Sequence, residues 1–345
     1  MEKRKSQSRR EARGVVLAAL VLFAVSVTAF AAGKAETAAV EQPGSITVYS
    51  AGPGGLANAI RDAFVAETGI AVELFQSTTG AILGRLEAEK DNPIADIVVL
   101  ASWPSAFEFK SSGLTLAYPG AANVDKMVPG WVDSEYHFFG YSASALGVTY
   151  NTETAPAVPV DWSDFTKPEW RGLVNIPDPL LSGSALDFIS GYINVYGDDA
   201  WELFAALKAN DVLVAGANNP ALEPVVTGAK AAVLAGVDYM GYVQASRGES
   251  VAVMYPESGT VVNPRPAFIL RSSRNPDGAR RFIDFLLSDA AQQLVVNAYL
   301  LPGRADAPVT NRDPLSVIPV LSYDWDWMSE NAETIARRFT EIFQQ

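Results

Sequence analysis

Cysteine is absent from all 345 residues. Its absence excludes disulfides, thiolate metal sites, a cysteine nucleophile and a lipid-modified cysteine at a processing site. Histidine is nearly absent: His137 stands alone in a weakly patterned segment, where a surface or capping role is commoner than metal ligation. Neither a G-x-S-x-G elbow nor an H-E-x-x-H helix occurs, so the usual hydrolase nuclei are missing. Basic residues are also short, with 26 Lys and Arg against 39 Asp and Glu and a formal net charge of −13. Such a surface argues against nucleic acid or anionic lipid as a partner, since both need basic patches. It does not argue against a small anionic ligand, because local N–H groups set the potential inside a cleft.

The basic residues that exist are unevenly spread. Lys3, Arg4, Lys5, Arg9, Arg10 and Arg13 precede an apolar run from Val15 to Ala31 that closes on Ala29-Phe30-Ala31. That is the three-part form of a secretory signal peptide, residues 1-31. The run is also near the length of a membrane span, so an uncleaved N-terminal anchor is the alternative. In either reading the folded part is periplasmic, with no lipid anchor. Removing this segment takes away six basic and two acidic side chains, moving the charge to about −17. A linker at 32-44 follows, and the remaining 300 or so residues suffice for two cores.

Residues 45-80 hold two strand-turn-helix units back to back. Ser45 to Tyr49 reads as a strand, Ser50 to Gly55 as a turn, and Leu56, Ile60, Ala63 and Phe64 as one face of a helix that Gly69 ends. Ile70 to Phe75 is a second strand, Gln76 to Gly80 a second turn, and Ile82 and Leu86 begin a second apolar stripe. Parallel neighbouring strands would aim both helix N-termini, with unpaired N–H groups and positive dipole ends, at one crevice. Ser50, Ala51 and Gly52, with Ser77, Thr78, Thr79 and Gly80, are therefore candidate donors to an anion; ordinary N-capping is the competing role.

The rhythm continues through Ala95 to Leu100 and the turn containing Trp103, implying a parallel, doubly wound α/β sheet. Periodicity fails from Tyr118 to Phe139. Ala145 to Tyr150, Leu173 to Ile176, Ala231 to Gly236, Val251 to Tyr255 and Ala267 to Arg271 read as further strands, and Trp325 to Phe343 as an amphipathic helix.

Several segments together resemble the extracytoplasmic solute-binding proteins of ABC importers, in the group that includes ferric-iron, sugar-phosphate, aminophosphonate, thiamine and polyamine binders. They are Ile46 to Ser50, Gly147 to Asn151, Trp162 to Phe165 with Glu169 to Gly172, Tyr255 to Thr260, Asn275-Pro276 and Leu301 to Arg304. Their order and spacing, over most of residues 45-310, carry the resemblance. It implies a type II periplasmic-binding-protein fold, with two α/β lobes joined by crossover strands, a ligand clamped between them, and docking on a permease in the inner membrane. The expected division is an N-terminal lobe at 45-145 and 266-345 and a second lobe at 146-265. Ser182, Gly183 and Ser184 would then be the second lobe's counterpart to the N-terminal turns. Asp238, Tyr239 and Glu257, at strand ends facing the crevice, would read hydroxyl or amino groups, unless the carboxylates are solvated turn residues. Trp103 follows the third strand and is the tryptophan placed to stack on a ligand, although core packing is the commoner fate.

The expectation is a monomeric, cofactor-free receptor for a small anionic solute, a phosphorylated sugar or organophosphonate favoured, that performs no chemistry. Ferric iron is the alternative. Iron-binding members of the group use adjacent tyrosines near this position, whereas here Tyr239 and Tyr242 are separated by Met240 and Gly241. A rival of another class is an NAD enzyme, because Gly52 to Ala57 fits the G-x-G-x-x-G/A fingerprint. The second strand closes on Gln76-Ser77 instead of the ribose-binding acid, and the signal peptide leads away from nicotinamide pools.

Overall fold

The computed structural model describes residues 44–344; the expected signal peptide and nearly all of the linker lie outside the described residues. Strand β1 (Ser45–Ser50) leads to helix α1 (Gly54–Thr68), whose buried Leu56, Ile60 and Phe64 form one stripe. Gly69 ends α1 at φ 71, a left-handed conformation that costs a residue without Cβ little. β2 (Ala71–Gln76) pairs parallel with β1, from Ser45 opposite Ala71 to Ser50 opposite Gln76. α2 (Thr79–Ala88) follows, capped by Thr78, whose hydroxyl accepts from Ala81 N–H. β3 (Ile97–Val99), α3 (Pro104–Ser111) and the short β4 (Thr115–Leu116) complete this run.

β5 (Phe139–Asn151) is the spine of the molecule. Phe139 to Ala145 pairs antiparallel with β10 (Val262–Leu270), and Leu146 to Asn151 pairs with β8 (Ala232–Val237) and β9 (Val251–Met254). The change of partner falls between Ala145 and Leu146. β6 (Val174–Ile176), α4 (Gly183–Tyr196), α5 (Asp198–Ala209), β7 (Leu213–Val214), α6 (Asn218–Val226) and α7 (Asp238–Ser246) fill the second half. α8 (Pro276–Leu286), α9 (Asp289–Asn297), β11 (Leu301–Pro302) and α10 (Trp325–Gln344) close the chain. The strands run β2-β1-β3-β10-β5-β8-β6-β7, so two doubly wound lobes share β5 and β10 as crossovers.

Each lobe has its own core. Ile46, Val48, Phe64, Ile97, Phe282 and Leu286 belong to one, and Trp162, Phe165, Trp170, Phe188 and Phe204 to the other. Phe64 meets Phe282 and Phe285 edge-on at centroid distances of 5.0 and 5.6 Å, fixing α1 to α8; burying each such ring contributes about 1.5–3 kcal/mol. The last helix of the expected N-terminal division, α10, touches both lobes: Trp325 at its start packs on the cluster around Trp103 of the N-terminal lobe. Ile335 and Phe339 of α10 join the second core, and Phe339 packs against Phe204 at 5.3 Å. An amphipathic helix goes to whichever lobe offers an apolar face, and α4 and α5 offer it.

Candidate functional site

The most unusual chemistry lies on the crossover strands. In the antiparallel register Asn263 stands opposite Ser144 and Arg265 opposite Ser142, and alternation puts all four side chains on one face. Arg265 is 3% exposed. Its Nη1 donates to Ser144 Oγ at 2.7 Å, while its Nε has no partner. Asn263 Nδ2 donates to the Ala101 carbonyl at 2.6 Å. Asn263 Oδ1 and Ser142 Oγ are buried and unpartnered. None of the ion pairs among the described residues includes Arg265. A buried guanidinium without a carboxylate costs several kcal/mol, so the stripe carries a cation that no acidic side chain among the described residues neutralises.

Two phenols flank this cation. The Arg265 guanidinium carbon lies 5.4 Å from the Tyr239 ring centroid, within cation–π range. Burial pushes the Tyr239 and Tyr141 phenols up, and the charge of Arg265 works against that rise. Gly52 leaves room beside them: a methyl there would lie 3.1 Å from the Tyr141 hydroxyl. Arg265 thus sits between the first N-terminal turn and the start of α7.

Ser50 and Gln76 end paired strands, and Ser77 N–H donates to the Ser50 carbonyl at 3.2 Å, so the two turns are adjacent. The first turn satisfies itself, however. Ala51 N–H donates to the Val99 carbonyl at 2.8 Å and Gly52 N–H to Ser50 Oγ at 3.1 Å. The N–H groups of Ala51 and Gly52 are already occupied, which corrects the reading of those two as open contacts, whereas the Ser50 hydroxyl accepts from Gly52 N–H and keeps its own O–H to donate. Thr78 caps α2, and buried Thr79 Oγ1 accepts from Ala101 N–H at 3.1 Å. The first N–H groups of α2, at Thr79 and Gly80, have no partner within the helix.

The opposite jaw meets this helix end directly. A methyl on Gly183 would lie 3.0 Å from Ser102 Cβ and 3.3 Å from Thr79, and one on Gly80 would lie 3.7 Å from the Leu180 carbonyl. α2 and α4 therefore converge N-terminus to N-terminus, which adds their positive ends in one place. Ser182 caps α4 through Ala185 N–H at 3.2 Å. Asn218 Nδ2 reaches Ser182 Oγ at 2.8 Å and Ser184 Oγ at 3.1 Å, and Asn218 Oδ1 accepts from Val237 N–H at 3.3 Å. This amide locks both serines to the end of β8.

Four further candidates need correction. Asp238 has no free oxygen: Oδ1 accepts from Tyr239 N–H, while Oδ2 accepts from Ala145 N–H, the Tyr255 hydroxyl and Arg312 Nη2 at 2.6 Å. Both side chains of the Asp238–Arg312 pair are 0% exposed. Desolvation, with the Asp238 charge beside it, pushes the Tyr255 phenol far up. Tyr242 belongs to the same network, bonded to Tyr255 and Asp313, and so does not converge with Tyr239. Glu257 is an exposed turn residue whose N–H donates to the Val160 carbonyl. The Trp103 ring is 2% exposed and packs edge-on against Phe138 at 4.8 Å, leaving no face for a ligand. The lone His137 hydrogen-bonds Thr115 Oγ1 at 2.8 Å through Nδ1.

A surface hollow of about 660 Å³ lies elsewhere, lined by Leu83, Leu86, Phe109, Leu114 and Leu270 on the outside of the N-terminal sheet. It contains none of the unpartnered buried polar atoms, three of which lie on the crossover stripe. Arg265 and Asn218 were missed by sequence reasoning. Arg265 lies between two prolines in a stretch that reads as loop, and Asn218 resembles any helix-start asparagine.

The topology, the crossover strands and the interlobe polar stripe define a two-lobe solute-binding protein. The family described as bacterial extracellular solute-binding protein matches residues 92–331, and the chain belongs to that family. Among known proteins it is similar to iron uptake protein A1 of Synechocystis sp., 25% identical over 283 residues that cover 76% of this chain and 77% of that protein. It is also similar to a putative 2-aminoethylphosphonate-binding periplasmic protein of Salmonella typhimurium, 23% identical over 253 residues, covering 71% and 73%. In structure it resembles the periplasmic binding protein AfuA from Actinobacillus pleuropneumoniae, solved with exogenous fructose-6-phosphate bound. That match has a TM-score of 0.80 and 21% identity and covers 87% of this chain and 99% of the other. The fold is the type II periplasmic-binding-protein fold.

Proposed function

We propose that this chain is the monomeric periplasmic receptor of an ABC importer, capturing a small organic phosphate or phosphonate between its lobes without chemistry. One observation carries the ligand class: Arg265, buried on a crossover strand, has an unpartnered Nε and no acidic partner among the described residues. The anionic end would pair with Arg265 and Ser142 and lie near the N-termini of α2, at Thr79 and Gly80, and of α4, at Gly183. Asn263 Oδ1, an unpartnered acceptor two residues away, suits a hydroxyl or amino group at the ligand's other end. The lobes, 45–145 with 266–324 and 146–265 with α10, would close on it, because contacts from both favour the closed state. The closed form would dock on the permease in the inner membrane after removal of the signal peptide.

Relatives named for iron support ferric iron as a second reading. It would draw on Tyr239 and Tyr242, which belong to different clusters here. A bare ferric ion beside an unpaired guanidinium is repelled unless an anion binds with it. The test is thermal unfolding of the protein from Gly44 onward with 2-aminoethylphosphonate, fructose-6-phosphate, inorganic phosphate or ferric citrate. A ligand at a hundredfold its Kd stabilises by about 2.7 kcal/mol, and this is expected for at least one phosphate or phosphonate. Stabilisation by iron alone, with tyrosinate colour, would sink the anion reading. Stabilisation by NAD with turnover of a substrate would sink the receptor reading altogether.

A further inference from the structure

Asp187 lies on α4, one turn beyond the helix end that meets the N-terminal lobe. It is 2% exposed. Both of its oxygens look across the cleft: Oδ1 accepts from Ser102 Oγ at 2.8 Å, and Oδ2 from the backbone N–H of Trp103 at 3.2 Å. Trp103 is the residue that caps α3, so a carboxyl from one lobe closes the first turn of a helix in the other. The groups facing it come from three elements around a cavity of about 80 Å³. α3 supplies Ser105 and Glu108, α4 supplies Ser190 with an unpartnered hydroxyl, and α10 supplies Met328, Ser329 and Ala332. Tyr323, just before α10, is the remaining titratable group, and its phenol is pushed up by burial and by the Asp187 charge. Among the described residues no lysine, arginine or histidine lines this cavity.

We propose that Asp187 latches the lobes together, and that making the latch takes up a proton that opening releases. The inference rests on the two-lobe clamp reading. In an open form the carboxyl is solvated and ionises in the ordinary range near pH 4. Closure strips its water and supplies two neutral donors but no cation from the cavity lining. Desolvation outweighs the two hydrogen bonds and raises the Asp187 carboxyl well above the ordinary range. The protonated carboxyl keeps both contacts, with its O–H donating to Ser102 Oγ and the other oxygen accepting from Trp103 N–H. The sign follows by linkage. The closed form binds the proton more tightly, so closure is fully favoured below the open-state value and loses that advantage as pH rises through the closed-state value.

The lack of cysteine allows direct measurement. Exposed Glu67 on α1 and Glu202 on α5, changed to cysteine and labelled with a fluorescent pair, report the distance between lobes in ligand-free protein. Lowering the pH from about 8 to about 5 should raise the closed-to-open ratio by up to tenfold per pH unit across the titration. Asp187→Asn, which keeps the shape but cannot ionise, should hold a high closed fraction that no longer responds to pH. Should that variant fail to fold by circular dichroism, Ser102→Ala carries the test, and it should lower the closed fraction while keeping the pH response. A flat wild-type response, or an Asp187→Asn response equal to wild type, overturns the latch. The clamp is judged separately: if inorganic phosphate or 2-aminoethylphosphonate closes the lobes at fixed pH while pH alone does nothing, only the latch fails. If neither moves the lobes, the clamp reading falls with it.

Discussion

Two arginines are buried near the crossover, and replacing each by methionine should have opposite consequences. Methionine keeps most of the stem and removes the charge. Arg312 is paired with Asp238 at 2.6 Å, both side chains fully buried, and its Nη2 also reaches the Tyr255 hydroxyl at 2.8 Å. Arg312→Met leaves Asp238 buried without its cation, which costs about 3–5 kcal/mol. Arg265 has no acid to strand. Its loss removes a desolvated cation and one hydrogen bond to Ser144, so the ligand-free protein should be as stable as wild type or more stable, within about 1 kcal/mol of hydrogen-bond loss. Ligand affinity should invert the comparison. Removing one side of a buried charge pair with an anion costs about 2–5 kcal/mol, which is about thirtyfold to several thousandfold in Kd. The assay is urea unfolding of both variants, followed by thermal shift with 2-aminoethylphosphonate and fructose-6-phosphate. The reasoning fails if Arg265→Met destabilises the ligand-free protein as much as Arg312→Met, or if it keeps the full anion-induced shift.

Other substitutions probe the surrounding structure. Gly183→Val should weaken binding of the same ligands about tenfold or more, since overpacking costs about 1–3 kcal/mol and its branch would strike Ser102 and Thr79 only when the lobes are closed; urea unfolding should stay near wild type. Gly303→Ala should lower stability by at least about 1–3 kcal/mol, because its methyl would overlap the Gly140 carbonyl oxygen and lie 2.7 Å from the Tyr141 backbone. Asn275→Ala should cost about 1 kcal/mol in urea, because its side chain caps α8 through Gly278 N–H at 2.9 Å.

Local periodicity made the N-terminal α/β run legible. Val48, Ile60, Phe64 and Gly69 carry their own signals of strand, helix face and stop, and β1, α1 and β2 follow them within a residue or two. The crossovers were harder for a physical reason. Only Ala267 to Arg271 reads as strand at the end of β10, because Pro264 and Pro266 interrupt the preceding stretch. The fold tolerates them because the register with β5 shifts between Arg265 and Pro266, and β3 pairs only from Ala267 onward. The first half of β5 was likewise hidden, since it is buried on both faces and shows no alternation. Asp238 was legible as a strand-end carboxylate, but its partner Arg312 lies 74 residues away, and no local pattern announces a pairing at that separation. The same blindness applies to Asp187 and Ser102.

The position of Arg265 bears on how such a clamp would work. A cation on either jaw would let an anion bind one lobe fully before closure, leaving little difference in affinity between open and closed forms; a ligand shifts a conformational equilibrium only by that difference. Arg265 instead lies on a strand whose first residues pair with β5 as it leaves the N-terminal sheet, with Tyr239 of α7 over its guanidinium. An anion seated there gains its strongest partner from the hinge, and reaches the helix ends at Thr79 and Gly183 only when both jaws arrive. In that proposal the hinge cation would set how tightly the anion is held, and the converging helix N-termini would set how much of that binding energy goes into closure. Arg265→Met should therefore weaken capture in both forms by about thirtyfold or more, whereas Gly183→Val should leave weak open-state binding intact while the distance between the labelled lobes no longer shortens when ligand is added.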